Sequence, residues 1–226
     1  MSDAVALVAR IRSDLKPLEA RIFGHAYLKA LEEHHVHPDS LKVFVGQQHH
    51  LISSDLRSIA LILSRQGMLP SRSFWINVLQ GEAAALDALH GLAGTLGLEL
   101  SDLDLFEPLP GTHAYCTFVA WLALYGSDAE LAVALLVNFP TWGTCCGRMR
   151  KALHQKYDIA LSALAFFDLF ADMPSFEAEV LSIVQNGLDR DIPERLLRRA
   201  ARMLQGYELM FWDAMASAAG VPLNGE

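Results

Sequence analysis

The sequence predicts an all-α protein. Apolar residues recur at spacings of three and four along nearly the whole chain, alternating β-branched runs are missing, and prolines and glycines fall where helices begin and end. Helices are expected near residues 3–16, 19–34, 39–66, 71–97, 112–125, 128–153, 159–172, 175–187 and 191–219. The first two rest on the apolar period alone. Pro38-Asp39 opens the third and Gly67 closes it; Pro70-Ser71 opens the fourth and Gly97 closes it; Gly126 closes the fifth. The sixth carries an interior proline, Pro140, which removes a backbone donor and is expected to kink the helix or break its ladder, with the Asn138 amide close by to donate and accept. The seventh follows from period, the eighth starts at Pro174-Ser175 and stops at Gly187, and Ile192-Pro193-Glu194 starts the last.

A chain of 226 residues with 52% apolar content supplies one sizeable core, and no linker, charge block or fixed-period repeat divides it, so residues 1–226 are read as a single domain. The opening Met1-Ser2-Asp3-Ala4-Val5-Ala6-Leu7 lacks a basic region, and Arg10 and Arg12 interrupt any apolar one, so a cytoplasmic protein is expected. The most apolar stretches, Ala114 to Tyr125 and Leu131 to Trp142, are about twelve residues each, short of the roughly 20 that span a bilayer. No membrane partner is expected. The formal charge of −8 argues against nucleic acid, and three cysteines, two of them neighbours, form neither a disulfide framework nor a zinc pattern.

The most informative segment is Tyr207-Glu208-Leu209-Met210-Phe211-Trp212-Asp213, which sets a carboxylate in an apolar helix. Phe211 and Trp212 stand three and four residues beyond Glu208, so the acid and the rings share a face. A buried carboxylate is paired, protonated or catalytic. Two environments fit the pattern: an arginine across a helix interface within an ordinary core, or a hollow that holds a flat aromatic ligand beside a general acid or base.

That segment resembles the C-terminal pattern of the TenA/THI-4 family (thiaminase II and aminopyrimidine aminohydrolases): an aromatic residue, Glu, two variable residues, then Phe-Trp-Asp. Other likenesses follow in order. Phe23-Gly24-His25-Ala26-Tyr27-Leu28 is similar to the family's His-Pro-Phe near the first long helix, and Phe44 to Leu51 (Phe-Val-Gly-Gln-Gln-His-His-Leu) resembles Tyr-Val-x-Gln-Asp-x-x-Tyr/Phe. Thr112 to Phe118 resembles Ala-Tyr-Thr-x-Phe, and Leu135-Leu136-Val137-Asn138 falls where Leu-Leu-Pro-Cys belongs. The resemblance implies a heme-oxygenase-like helix bundle, a small heterocyclic ligand, no cofactor, and a homo-oligomer, dimer or tetramer.

By the same resemblance Glu208 is the catalytic acid/base, Tyr115 a pocket hydroxyl and Phe211 an aromatic wall. Leu51, Trp142, Gln48 and Asn138 complete the substrate-binding set, as departures from the pattern. Trp142 replaces a tyrosine and keeps the wall without its hydroxyl. Gln48 replaces the Asp that grips the pyrimidine, and Asn138 replaces the nucleophilic Cys. An amide forms no covalent adduct. Cys145 lies seven positions on, about 10 Å along a helix, so it does not take over, and Cys146 is no better placed. What remains is Glu208 activating water against an amine-bearing carbon and passing a proton to the leaving amine, with Asn138 and Tyr115 hydrogen-bonding the substrate.

The nine histidines invite a metal reading that spacing opposes. Relatives of the fold that bind two irons carry a His-x-x-x-Asp-x-x-His run, whereas Phe166 to Asp172 supplies no histidine; Asp87 and His90 find no second pair, and His25 would offer a single haem ligand at most. The stripe Arg195, Arg198, Arg199, Arg202 is read as a solvated face balanced by Asp189, Asp191 and Glu194. Two alternatives to a hydrolase stay open: a binding or sensing protein without turnover, and a cofactorless oxidase of the pyrroloquinoline quinone synthesis type, which would need inward basic residues for its multiply charged acid.

Overall fold

The structure is a computed structural model that describes residues 3–66 and 70–223. It is built from helices, with no strand among the described residues: α1 (Ala4–Phe23), α2 (Ala26–Glu32), α3 (Pro38–Gln66), α4 (Ser71–Thr95), α5 (Leu100–Leu103), α6 (Pro110–Tyr125), α7 (Asp128–Lys156), a 3₁₀ turn (Leu161–Ala163), α8 (Ala165–Ala171), α9 (Glu177–Asp189) and α10 (Glu194–Ala218). The all-α expectation holds.

Several helix ends differ from the sequence reading, each for a local reason. The first break falls not between residues 16 and 19, which α1 runs through with Pro17 inside it, but at Gly24-His25, where His25 Nδ1 accepts from the Tyr27 amide at 3.2 Å and caps α2. α7 runs through Pro140 to Lys156 without interruption. The helix expected over 159–172 is a 3₁₀ turn followed by the two turns of α8. Gly97, with φ +74°, ends α4 as expected: the Leu98 amide reaches back to the Ala93 carbonyl and the Gly97 amide to Gly94. Gly187 does not end α9. A Cβ there would lie 2.6 Å from the Ala129 Cβ, so glycine lets α9 pack on α7, and Asp191, with φ 61°, takes the left-handed position beyond the helix. The stop at Gly67 lies outside the described residues.

Two apolar clusters form the interior. One gathers α2, the first half of α3, the end of α4, the second half of α7, α8 and the end of α10; the other gathers α1, the rest of α3 and α4, α6, the first half of α7, α9 and the start of α10. Helices α3, α4, α7 and α10 run through both. Most of α7 is inaccessible to solvent, which explains why it reads apolar on all faces. By length and composition α7 could cross a membrane, but 83% of its apolar window is covered by the other helices, as for a core helix. A Cβ on Gly143 would sit 2.5 Å from the Phe170 carbonyl oxygen; glycine therefore brings α8 against α7 and sets the Phe170 ring beside Phe139 and Trp142.

Candidate active site

A chamber opens where the two apolar clusters meet, lined by α3, α4, α6, α7, α8 and α10. All seven residues singled out in the sequence line it: Gln48 and Leu51 from α3, Tyr115 from α6, Asn138 and Trp142 from α7, Glu208 and Phe211 from α10. Period explains the convergence. Asn138 and Trp142 are four apart and Glu208 and Phe211 three apart, so each helix offers one polar group with a ring on the same face. Gln47, by contrast, faces α6: its Nε2 donates to the Glu107 carbonyl at 3.0 Å, and its Oε1 accepts from the Leu109 amide at 2.8 Å and Thr112 Oγ1 at 2.6 Å. This fastens the start of α6 to α3 and fixes where Tyr115 enters.

The carboxyl of Glu208 is 1% exposed and meets no arginine. Asn138 Nδ2 donates to its Oε2 at 2.6 Å, Trp212 Nε1 donates to its Oε1 at 3.2 Å, and Gln205 Nε2 reaches Oε2 at 3.5 Å. Tyr115 Oη in turn donates to Asn138 Oδ1 at 2.7 Å. A hydroxyl, an amide and a carboxyl thus form a relay across the chamber wall. Burial pushes the Glu208 pKa up to about 8, although the hydrogen bonds from Trp212 and Asn138 oppose it; Glu19 adds a further upward push. At neutral pH Glu208 is mostly a neutral acid. Asn138 therefore does what the sequence reading did not foresee: it spends both ends of its amide on Tyr115 and Glu208, orienting them.

Sequence reasoning missed Ile52, Asp55, Glu82, Phe139 and Phe170, which also line the chamber. Asp55 was within reach, since Gln48, Leu51, Ile52 and Asp55 follow the three, four, seven spacing of one face of α3. Glu82 carried no such signal, because only the packing of α4 on α3 turns it inward. Both carboxyls are buried, and the Asp55 Oδ1 has no hydrogen-bond partner. Burial raises the pKa of each, and Glu82 raises that of Asp55 further. The Tyr115 hydroxyl is also raised, first by burial and then by the charges of Asp55, Glu208 and Glu82.

Free space at the centre is about 30 Å³, room for about one or two waters. Phe139, Phe170 and Glu82 also line an outer groove of about 430 Å³, walled by Phe74, Val78, Met173 and Phe176. The two phenylalanines, 6.5 Å apart and edge to face, stand between the chamber and this groove.

Other candidates lie elsewhere. Cys145 and Cys146 are buried, their thiols raised first by burial, and neither lines the chamber. His25 spends Nε2 on Asp213 at 3.0 Å and Nδ1 on its cap, which leaves no nitrogen for haem. His49 bonds Asp104 and His90, and His50 bonds the Phe106 carbonyl. Among the described residues no three histidine, cysteine or acidic side chains converge as a metal site. Of the basic stripe, Arg198 pairs with Asp14 and Glu194, and Arg199 with Glu130 while lying over the Trp121 ring.

The model of the TENA/THI-4/PQQC family matches residues 12–218. Among solved structures, a TenA homologue from P. horikoshii OT3 is 21% identical, with a TM-score of 0.72 and coverage of 94% of this chain and 99% of that one. A domain of unknown function with a heme oxygenase-like fold from Shewanella denitrificans OS217 is 13% identical, with a TM-score of 0.72 over 93% and 90% of the two chains. A putative TenA-like thiaminase from Sulfolobus solfataricus P2 is 15% identical, with a TM-score of 0.64 over 95% and 98%. No curated protein matches the sequence. The helix bundle is therefore of the heme-oxygenase-like type.

Proposed function

The chain belongs to the TENA/THI-4/PQQC family, and from that premise we propose that it hydrolyses a small aminopyrimidine or related nitrogen heterocycle, with Glu208 carrying the proton and no covalent intermediate on the protein. The observation that carries the reading is the relay Tyr115–Asn138–Glu208, which ends on a buried neutral carboxyl facing ring-lined space. Where the family's nucleophile is expected, an amide holds the acid in place.

In the proposed reaction Glu208 gives its proton to the departing amine as the carbon–nitrogen bond breaks. Water supplies the oxygen of the new carbon–oxygen bond, and its proton returns to the carboxylate. The sum is substrate plus water to alcohol plus ammonia. An acid with pKa near 8 suits the donating step at neutral pH. Phe211 and Trp142, with ring centroids 5.6 Å apart and edge to face, provide flat walls for a heterocycle. Ring entry requires Phe139 and Phe170 to turn, since the central space of about 30 Å³ is too small for a heterocycle.

No lysine or arginine lines the chamber. The multiply charged acid of the oxidase reading would meet buried carboxyls there, which disfavours that reading. The test is ammonia release from a panel of aminopyrimidines by the purified chain. Release that disappears in Glu208→Gln supports the proposal, binding without release supports a sensing protein, and full activity in the variant contradicts the assigned role.

A further inference from the structure

The α3 and α4 wall carries a second polar feature that the hydrogen-bond chain of Tyr115, Asn138 and Glu208 does not use. Asp55 and Glu82, from adjacent helices, face the chamber and are 6% and 8% exposed. No lysine, arginine or histidine lies among the chamber residues, and neither acid takes part in an ion pair among the described residues. The Asp55 Oδ1 is shut off from solvent and accepts no hydrogen bond. A buried carboxyl oxygen that the protein itself gives no donor is satisfied by a group that brings one.

We infer that Asp55 and Glu82 form a recognition subsite for a cationic nitrogen group, an amidinium or protonated amine, carried by the ligand that Glu208 acts on. This rests on the reading of the chamber as a ligand site and names the chemistry it selects. Amidinium N–H groups match a carboxylate in pairs, and the charge-assisted bond is strong where water is excluded. Gln48 stands where the family pattern has an Asp, and Asp55, seven residues on along the same face of α3, supplies a carboxyl two turns further along the helix. A metal ion is a poorer fit, because no three metal-ligating side chains converge among the described residues.

Binding a cation is coupled to protons. Burial keeps Asp55 and Glu82 protonated well above the usual carboxyl range, so a cation that ionises one of them releases its proton, and affinity rises with pH. The other titratable groups near the pair are Tyr115 and Cys116 of α6 and Glu208 of α10; burial raises all three.

The test is calorimetric titration of the full chain with two matched pairs, benzamidinium against benzamide and acetamidinium against acetamide, repeated in Asp55→Asn and Glu82→Gln. The expected result is a preference of about tenfold or more for each cation over its neutral partner, increasing from pH 6 to pH 8. Each variant should lose that preference while leaving the neutral compounds unaffected and the melting temperature equal or higher. Equal binding of cation and neutral partner, no binding of any of the four, or a preference that survives both substitutions overturns the inference. So does displacement of the cations by Mg²⁺ or Mn²⁺ in an Asp55-dependent way. A preference seen only with acetamidinium, both ring compounds being excluded, supports the subsite and contradicts the heterocycle reading, which separates the two failures.

Discussion

The two polar walls of the chamber hold the same functional group in opposite conditions. On the α7 and α10 side, both oxygens of Glu208 accept hydrogen bonds, and its main donor, Asn138, is itself fixed by Tyr115. On the α3 and α4 side, Asp55 keeps a bare oxygen beside a second carboxyl. Full satisfaction orients a group and preserves it for proton transfer, whereas an unmet acceptor lowers stability until something binds. One wall is built and the other waits. The same burial therefore has two consequences: it raises the proton affinity of Glu208, the acid of the proposed reaction, and it leaves Asp55 with the unmet acceptor on which the proposed cation subsite rests.

The largest effect is expected from exchanging the acid on the satisfied wall. Glu208→Gln should reduce amine release by about 10²–10⁴-fold, the usual worth of a positioned proton carrier, with the fold intact by circular dichroism. A smaller loss than from Asp55→Asn would invert the roles assigned to the two walls.

Next in size is the relay itself. Asn138→Leu strips the Tyr115 hydroxyl of its acceptor and Glu208 of its shortest donor, both inside the protein. At about 1–3 kcal/mol for each of the two orphaned groups, the variant should lose about 2–6 kcal/mol in denaturant unfolding. An unchanged midpoint would show that the wall is held by packing alone.

The opposite sign is expected across the chamber. Asp55→Asn removes a poorly solvated acid and should raise stability at pH 8 by about 1–2 kcal/mol while weakening ligand binding. The pH dependence follows from the raised pKa values. An acid whose folded-state pKa exceeds its unfolded value keeps its proton after the unfolded chain has lost it. For Glu208 that window runs from 4.5 to about 8. Stability is thus fully present below the window and declines as pH rises through it, by up to about 1.4 kcal/mol per pH unit for each such group. Unfolding curves at pH 5 and pH 8 should diverge less in Asp55→Asn and in Glu208→Gln than in the parent; a larger divergence would contradict the burial argument.

The smallest effect concerns the cysteines. Cys145→Ala should leave turnover within about twofold, since its thiol is buried, raised in pKa and absent from the chamber lining. Loss of activity there would restore the covalent mechanism.

The helices were largely legible because period and punctuation are local properties, and they erred where tertiary contact decides. Gly187 reads as a stop and is a packing point; the gap expected between residues 16 and 19 is bridged, with Pro17 accommodated inside α1. The chamber was legible on α7 and α10, where a polar residue interrupts an apolar run, as at Asn138 and Glu208. It was illegible at Glu82, because a charged residue on a helix points to water unless a neighbour covers it, and the covering helix is a matter of tertiary structure. The role of Asn138 was legible only by its departure from the family pattern; that its amide bridges Tyr115 and Glu208 required coordinates.

The donating role of Glu208 requires a carboxyl that stays neutral in the folded protein at pH 7. Carbon-13 NMR of the chain labelled at the glutamate carboxyl carbon measures this directly. One resonance with a midpoint near pH 8, absent from Glu208→Gln, is the expected result. A Glu208 resonance that titrates near the ordinary 4.5 would contradict it.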